Sequence, residues 1–123
     1  MRASTAADAA SLQAFWTRFR RAALKGDSTA IRALSAPVVL QHGTRDDVPV
    51  IRLPAARVPG VLAQIMSQPD GVDPAGRPHR ILLEATPVPQ RDHAQPADHF
   101  RFGNLVFARG KAGWRLTELY DEG

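Results

Sequence analysis

HFRFGNLVFARGKAGWRLTELY, residues 99–120, holds the longest apolar run in the chain together with Trp114. Phe100 and Phe102 alternate around Arg101, as one face of a half-buried strand requires. Leu105 and Phe107 carry the apolar set onward on the opposite parity. A strict period of two cannot put all four on one face. A bulge at Gly103 and Asn104 does so, because an extra residue resets the alternation and glycine tolerates the backbone geometry. Arg109, Gly110, Lys111, Ala112 and Gly113 make a reversal, after which Trp114, Leu116 and Tyr120 alternate back along a second strand. The stretch predicts two long strands closing the chain. The same alternation leaves Arg101, Val106, Arg115, Thr117 and Leu119 on the outer face, a mixed surface apolar enough for a moderate interface and hence for a homodimer.

Upstream, residues 8–25 carry a helical period. Leu12, Phe15, Trp16, Phe19, Ala22 and Ala23 fall within an arc of roughly 120° at ~100° per residue, and three large aromatics on one stripe call for a broad surface such as a curved sheet. Gly26 suits a left-handed cap, and Asp27 or Ser28 suits the start of a short helix over 28–34, stopped by Pro37. Residues 38–42 predict a strand. Residues 48–53 predict a second strand, on an edge because Pro49 lacks an amide donor. Residues 58–67 predict a helix presenting Val58, Val61, Leu62, Ile65 and Met66, with Pro59 in its first turn. Residues 80–86 read as a strand, flanked by Gly/Pro/Asp-rich loops at 68–78 and 87–97. Helices mixed into the first half and antiparallel strands after them make an α+β pattern in one domain, residues 1–123, with 1–7 expected to lack fixed structure.

Composition excludes some functions and leaves others open. The chain has 123 residues, 44% hydrophobic and 23% charged, ordinary values for a globular protein. No apolar run approaches the ~20 residues of a membrane span. The calculated pI is about 10.6, yet the net charge is only +4 and the basic residues are 14 Arg against 2 Lys, spread from Arg2 to Arg115 without a run. That bias fits a GC-rich bacterial genome, and no nucleic-acid partner is expected. The absence of cysteine removes disulfides and thiolate chemistry and is compatible with cytoplasm or periplasm. Met1 to Ala10 lacks the apolar core of a secretory signal, and its small residues also suit a periplasmic chain whose signal has been removed.

Phe15-Trp16-x-x-Phe19-Arg20, then Gly26-Asp27, a short helix and a proline, resemble the opening of many nuclear-transport-factor-2-like proteins. Phe100-Arg101-Phe102-Gly103, Leu105-Val106-Phe107, Gly113-Trp114-Arg115-Leu116 and Leu119-Tyr120 resemble their closing hairpin. The resemblance covers both ends and the element order, with the middle unmatched. It implies a cystatin-like cone: a strongly bent antiparallel sheet wrapping the long first helix, with a pocket at its open end. Phe15, Phe19, Leu82, Phe100 and Trp114 would line that pocket for a small apolar ligand. The architecture serves enzymes, carriers and protein-binding modules alike and so leaves function open.

Four constellations carry candidate chemistry. His42, Arg45, Asp46 and Asp47 place carboxylates near a histidine. With Tyr120 they could do proton transfer if a pocket raised an Asp pKa, although the same residue types make an ordinary solvated turn. Asp92-His93 and Asp98-His99 are suitable ligand types for zinc, but they lie in a proline-rich loop rather than a rigid frame, and no metal or other cofactor is expected. Arg18, Arg21 and Lys25 share a helix face that suits an acidic partner or plain solvent. Asp70 to Gly76 lacks the spacing of a calcium loop. The leading expectation is a non-enzymatic binding module for a protein partner or small apolar ligand. The alternative is a small isomerase, dehydratase or cyclase working through His42, Asp46 or Asp47, and Tyr120.

Overall fold

The structure, a computed structural model, describes residues 6–43, 47–69, 73–90 and 96–121, with side chains from residue 9 onward. The expectation for residues 1–7 falls mostly outside that range. Helix α1 (Ala6–Lys25) buries Leu12, Phe15, Trp16, Phe19, Ala22 and Ala23, the stripe its period requires. It ends where Gly26 turns left-handed at φ +67°. The Gly26 amide donates to the Ala23 carbonyl at 3.3 Å and the Asp27 amide to Ala22 at 3.0 Å, the paired bonds of a Schellman cap. Asp27 then accepts from the Ala30 amide at 3.2 Å and caps α2 (Ser28–Ala33).

Strands β1 (Ser35–His42), β2 (Ile51–Pro54), β3 (His99–Phe102), β4 (Leu105–Gly110) and β5 (Gly113–Tyr120) form one sheet in the order β2-β1-β5-β4-β3. A 3-10 turn (Ala55–Arg57) leads into α3 (Val58–Ser67), and α4 (His79–Glu84) follows. The fold is therefore α+β, with a long N-terminal helix and an open five-stranded sheet. The sheet is mixed rather than antiparallel throughout: β1 runs parallel to β5, and the other neighbours are antiparallel. Pro49 precedes β2, which lies on an edge as expected.

Residues 80–86 are not a strand. His79 and Leu83 are buried while Ile81 is 48% exposed, a four-residue helical spacing; strand alternation would have buried Ile81 with Leu83. Pro78 opens α4. Arg20 closes it, donating to the carbonyls of Leu83 at 3.0 Å and Glu84 at 2.7 Å, while Trp16 Nε1 donates to Thr86 O at 2.8 Å. These bonds from α1 add to the helix's own closing bonds, from the Ala85 amide to Ile81 O at 3.1 Å and from Thr86 Oγ1 to Leu82 O at 2.7 Å. Leu82 consequently sits half-buried on α4 and not on the inner sheet.

The terminal stretch also differs in detail. Phe102 pairs with Leu105, so Gly103 (φ +54°) and Asn104 are a two-residue hairpin turn instead of a bulge. The bulge lies at Thr117, between the pairs Val106–Glu118 and Phe107–Leu116; its hydroxyl donates to Val106 O at 3.2 Å. One extra residue there flips the parity of the strand end. Leu119 turns inward to full burial, and Glu118 and Tyr120 turn outward.

Candidate functional site: the Tyr120 end of the sheet

The core between α1 and the sheet leaves little to solvent. Phe15, Phe19, Phe100 and Trp114, expected to line a pocket, are all buried. Phe107 is the hub, 4.9 Å from Phe19, 5.6 Å from Phe15 and 5.9 Å from Phe100, and Trp16 stands edge-on to Phe100 at 5.5 Å. These rings fill the space between α1 and the sheet. The Arg109 guanidinium lies 5.7 Å from the centre of the Trp114 ring, and the α1 aromatics meet Phe100, Phe102 and Phe107.

Polar side chains gather instead where β1 and β5 end together. The parallel register sets His42 beside Tyr120 and Leu40 beside Glu118. On the outer face His42 Nε2 lies 2.8 Å from Glu118 Oε1, and the imidazole stacks on Tyr120 with centroids 4.6 Å apart and planes at 18°. The Arg101 guanidinium sits 4.8 Å from the same tyrosine ring. A carboxylate can only accept, so Nε2 carries hydrogen and Nδ1 of the neutral ring is left as the acceptor. The pair is an oriented imidazole of the kind used as a general base. Its side chains are 22% and 34% exposed, which keeps solvent screening at the pair.

On the inner side of the same end Asp121 is held by two amides, from Gln41 at 3.3 Å and Gln68 at 3.1 Å, and its own amide donates to His42 O at 2.9 Å. Asn104 and His79 are buried nearby. The Tyr120 amide donates to Asn104 O at 2.8 Å, the His79 amide to Gln68 O at 2.9 Å, and the Asn104 amide reaches His79 Nε2 at 3.4 Å. The two clusters meet through the backbone of His42 and Tyr120.

The fold thus brings together His42 and Tyr120, two of the candidates named from sequence. Asp47 is exposed on the turn before β2, and Asp46 and Arg45 lie outside the described residues. Glu118 was missed because alternation without the Thr117 bulge gives it the wrong face. Asp98 and His99 form an exposed pair at 2.9 Å, where the His99 contact holds the Asp98 carboxyl below its usual range. Asp92 and His93 lie outside the described residues. Among the described residues no group of three His, Asp or Glu could hold a metal ion, and no helix is long and apolar enough to cross a membrane. No protein-family model, curated protein or solved structure matches the chain.

Proposed function

We propose that this is a non-enzymatic binding module that recognises a protein partner through the outer face of its sheet. One observation carries the reading. Arg52, Leu40, Glu118, Val106 and Arg101 lie in a continuous row across all five strands, and every one is exposed or half-exposed while the helices cover the opposite face. Val38, 39% exposed, and Tyr120 extend the apolar centre, and arginines stand at both ends. Aromatic and Arg anchors around an apolar middle are the composition of recognition surfaces. Two arginines against the one carboxylate of Glu118, itself held by His42, leave the row net positive, which favours an acidic partner. Rings packed ring-on-ring in the interior favour this face over an internal site for a small apolar ligand.

The test is photo-crosslinking from position 38 or 106 in cells that make the protein. We expect one discrete adduct, lost in an Arg52→Glu/Arg101→Glu variant and absent when the probe sits at exposed Thr29. Adducts independent of the arginines, or equal from Thr29, refute the reading. An adduct of twice the chain mass assigns the face to a homodimer instead.

The cystatin-like cone of the nuclear-transport-factor-2-like proteins remains our proposal for the fold family, supported by the helix-first order and the packing of the two final hairpins on α1. The oriented His42–Glu118 pair supports the second reading, acid–base catalysis on a small molecule with Tyr120 beside the base. Turnover in a metabolite mixture that is lost in both His42→Ala and Glu118→Gln, and kept in Arg52→Glu, would favour it.

A further inference from the structure

We propose that the cleft between α1 and α2 binds a small organic phosphate carrying an apolar body. The cleft has a volume of about 360 Å3 and is walled by Arg18, Arg21 and Lys25 over a floor that includes Ala22, Ala33 and Leu34. That volume lies within the range of small-molecule sites, roughly 300–1,000 Å3. The three cations occupy positions i, i+3 and i+7 of α1, so they project from one face across about 10 Å of helix axis. Among the described residues none of the three makes an ion pair or hydrogen bond.

Two nearby arginines are committed elsewhere. Arg20 caps α4, and Arg80 donates to Leu24 O at 3.1 Å. Asp27, the acidic group at the cleft, caps α2 through Oδ1 and keeps its charge. Three cations against one carboxylate line the concave surface, a net positive field that concentrates anions.

The spacing and the floor choose among anions. One carboxylate reaches one or two of the cations. A phosphate ester or diphosphate offers several acceptor oxygens to two arginine forks and an ammonium. Alanine and leucine below them give an apolar body somewhere to lie. Three cations ending at Gly26 are fewer than the about 6–10 phosphate contacts of proteins that track a nucleic-acid backbone. The site lies on the helical layer, across the sheet from the proposed docking face, so neither reading depends on the other.

The experiment titrates the protein with phenyl phosphate and with inorganic pyrophosphate, read by calorimetry and by amide shifts. We expect saturable binding of both, shifts concentrated in residues 18–34, and affinity that falls as salt is added. Arg18→Gln/Arg21→Gln should lower affinity at least about tenfold, the loss of charge-assisted contacts, with an unchanged melting temperature because both side chains are exposed. Lack of saturation at millimolar ligand, shifts centred elsewhere, or equal affinity in the double variant overturns the proposal. Benzyl alcohol binding as well as phenyl phosphate, or a single-stranded oligonucleotide binding more tightly than pyrophosphate, overturns it too.

Discussion

Phe107→Ala tests the core where its rings converge. Phe107 is fully buried on β4 and meets four rings: Phe19 at 4.9 Å, Phe15 at 5.6 Å, and Trp16 and Phe100 at 5.9 Å each. Three of these are edge contacts, which add about 0.5–1.5 kcal/mol each beyond burial. Truncating a buried Phe costs about 3–5 kcal/mol, transfer and cavity together. The surrounding aromatics sit on two rigid layers and cannot collapse into the hole, so the upper half of that range, about 4–5 kcal/mol, is expected. A domain of this size has about 5–15 kcal/mol in all, so the variant should fold yet melt early. Urea unfolding by fluorescence and circular dichroism measures the loss, and Phe107→Leu, which keeps most of the volume but forfeits the three edge contacts, should lose less than the alanine variant. A loss below about 1 kcal/mol for the alanine variant would show that β4 does not pack on α1 as described.

Other substitutions test separate parts of the fold. Trp114→Ala should cost about 3–5 kcal/mol in the same assay, as for any buried indole; a loss under about 1 kcal/mol would place the ring outside the core. Arg20→Ala removes two of the bonds at the end of α4 and should cost about 1–2 kcal/mol, with hydrogen exchange accelerating in His79–Glu84 before the strands; uniform acceleration would refute a local cap. Arg77 donates twice to Asp73, at 3.0 Å from each of Nε and Nη2, and with its backbone amide lowers the Asp73 pKa from 3.8 to about 2. A depressed carboxyl stabilises the fold above its unfolded pKa, and that contribution disappears as pH falls through the folded value, here from about pH 4 to about pH 2. Arg77→Leu should raise the Asp73 pKa and flatten the stability loss in that window, read by carboxyl NMR titration; an unmoved titration would refute the pairing.

Local regularities determined much of this protein without tertiary help. The α1 stripe, the Gly26–Asp27 junction and the α3 face were legible because periodicity, a glycine cap and a capping carboxylate act within a few residues. The edge position of β2 and the reversal before Trp114 were legible for the same reason. His42 and Tyr120 were both named as candidates, but nothing local links positions so far apart in the chain. Only the parallel pairing of β1 with β5 sets one ring on the other, and only a one-residue bulge at Thr117 turns Glu118 toward His42 and sends Leu119 into the core. Residues 80–86 show the same limit. Ile81, Leu82 and Leu83 suit either a strand or a buried helix turn, and Arg20 and Trp16 favour the helix by adding hydrogen bonds from another element to its own closing bonds. Contacts between distant segments decide the face a residue presents whenever the local pattern allows two answers.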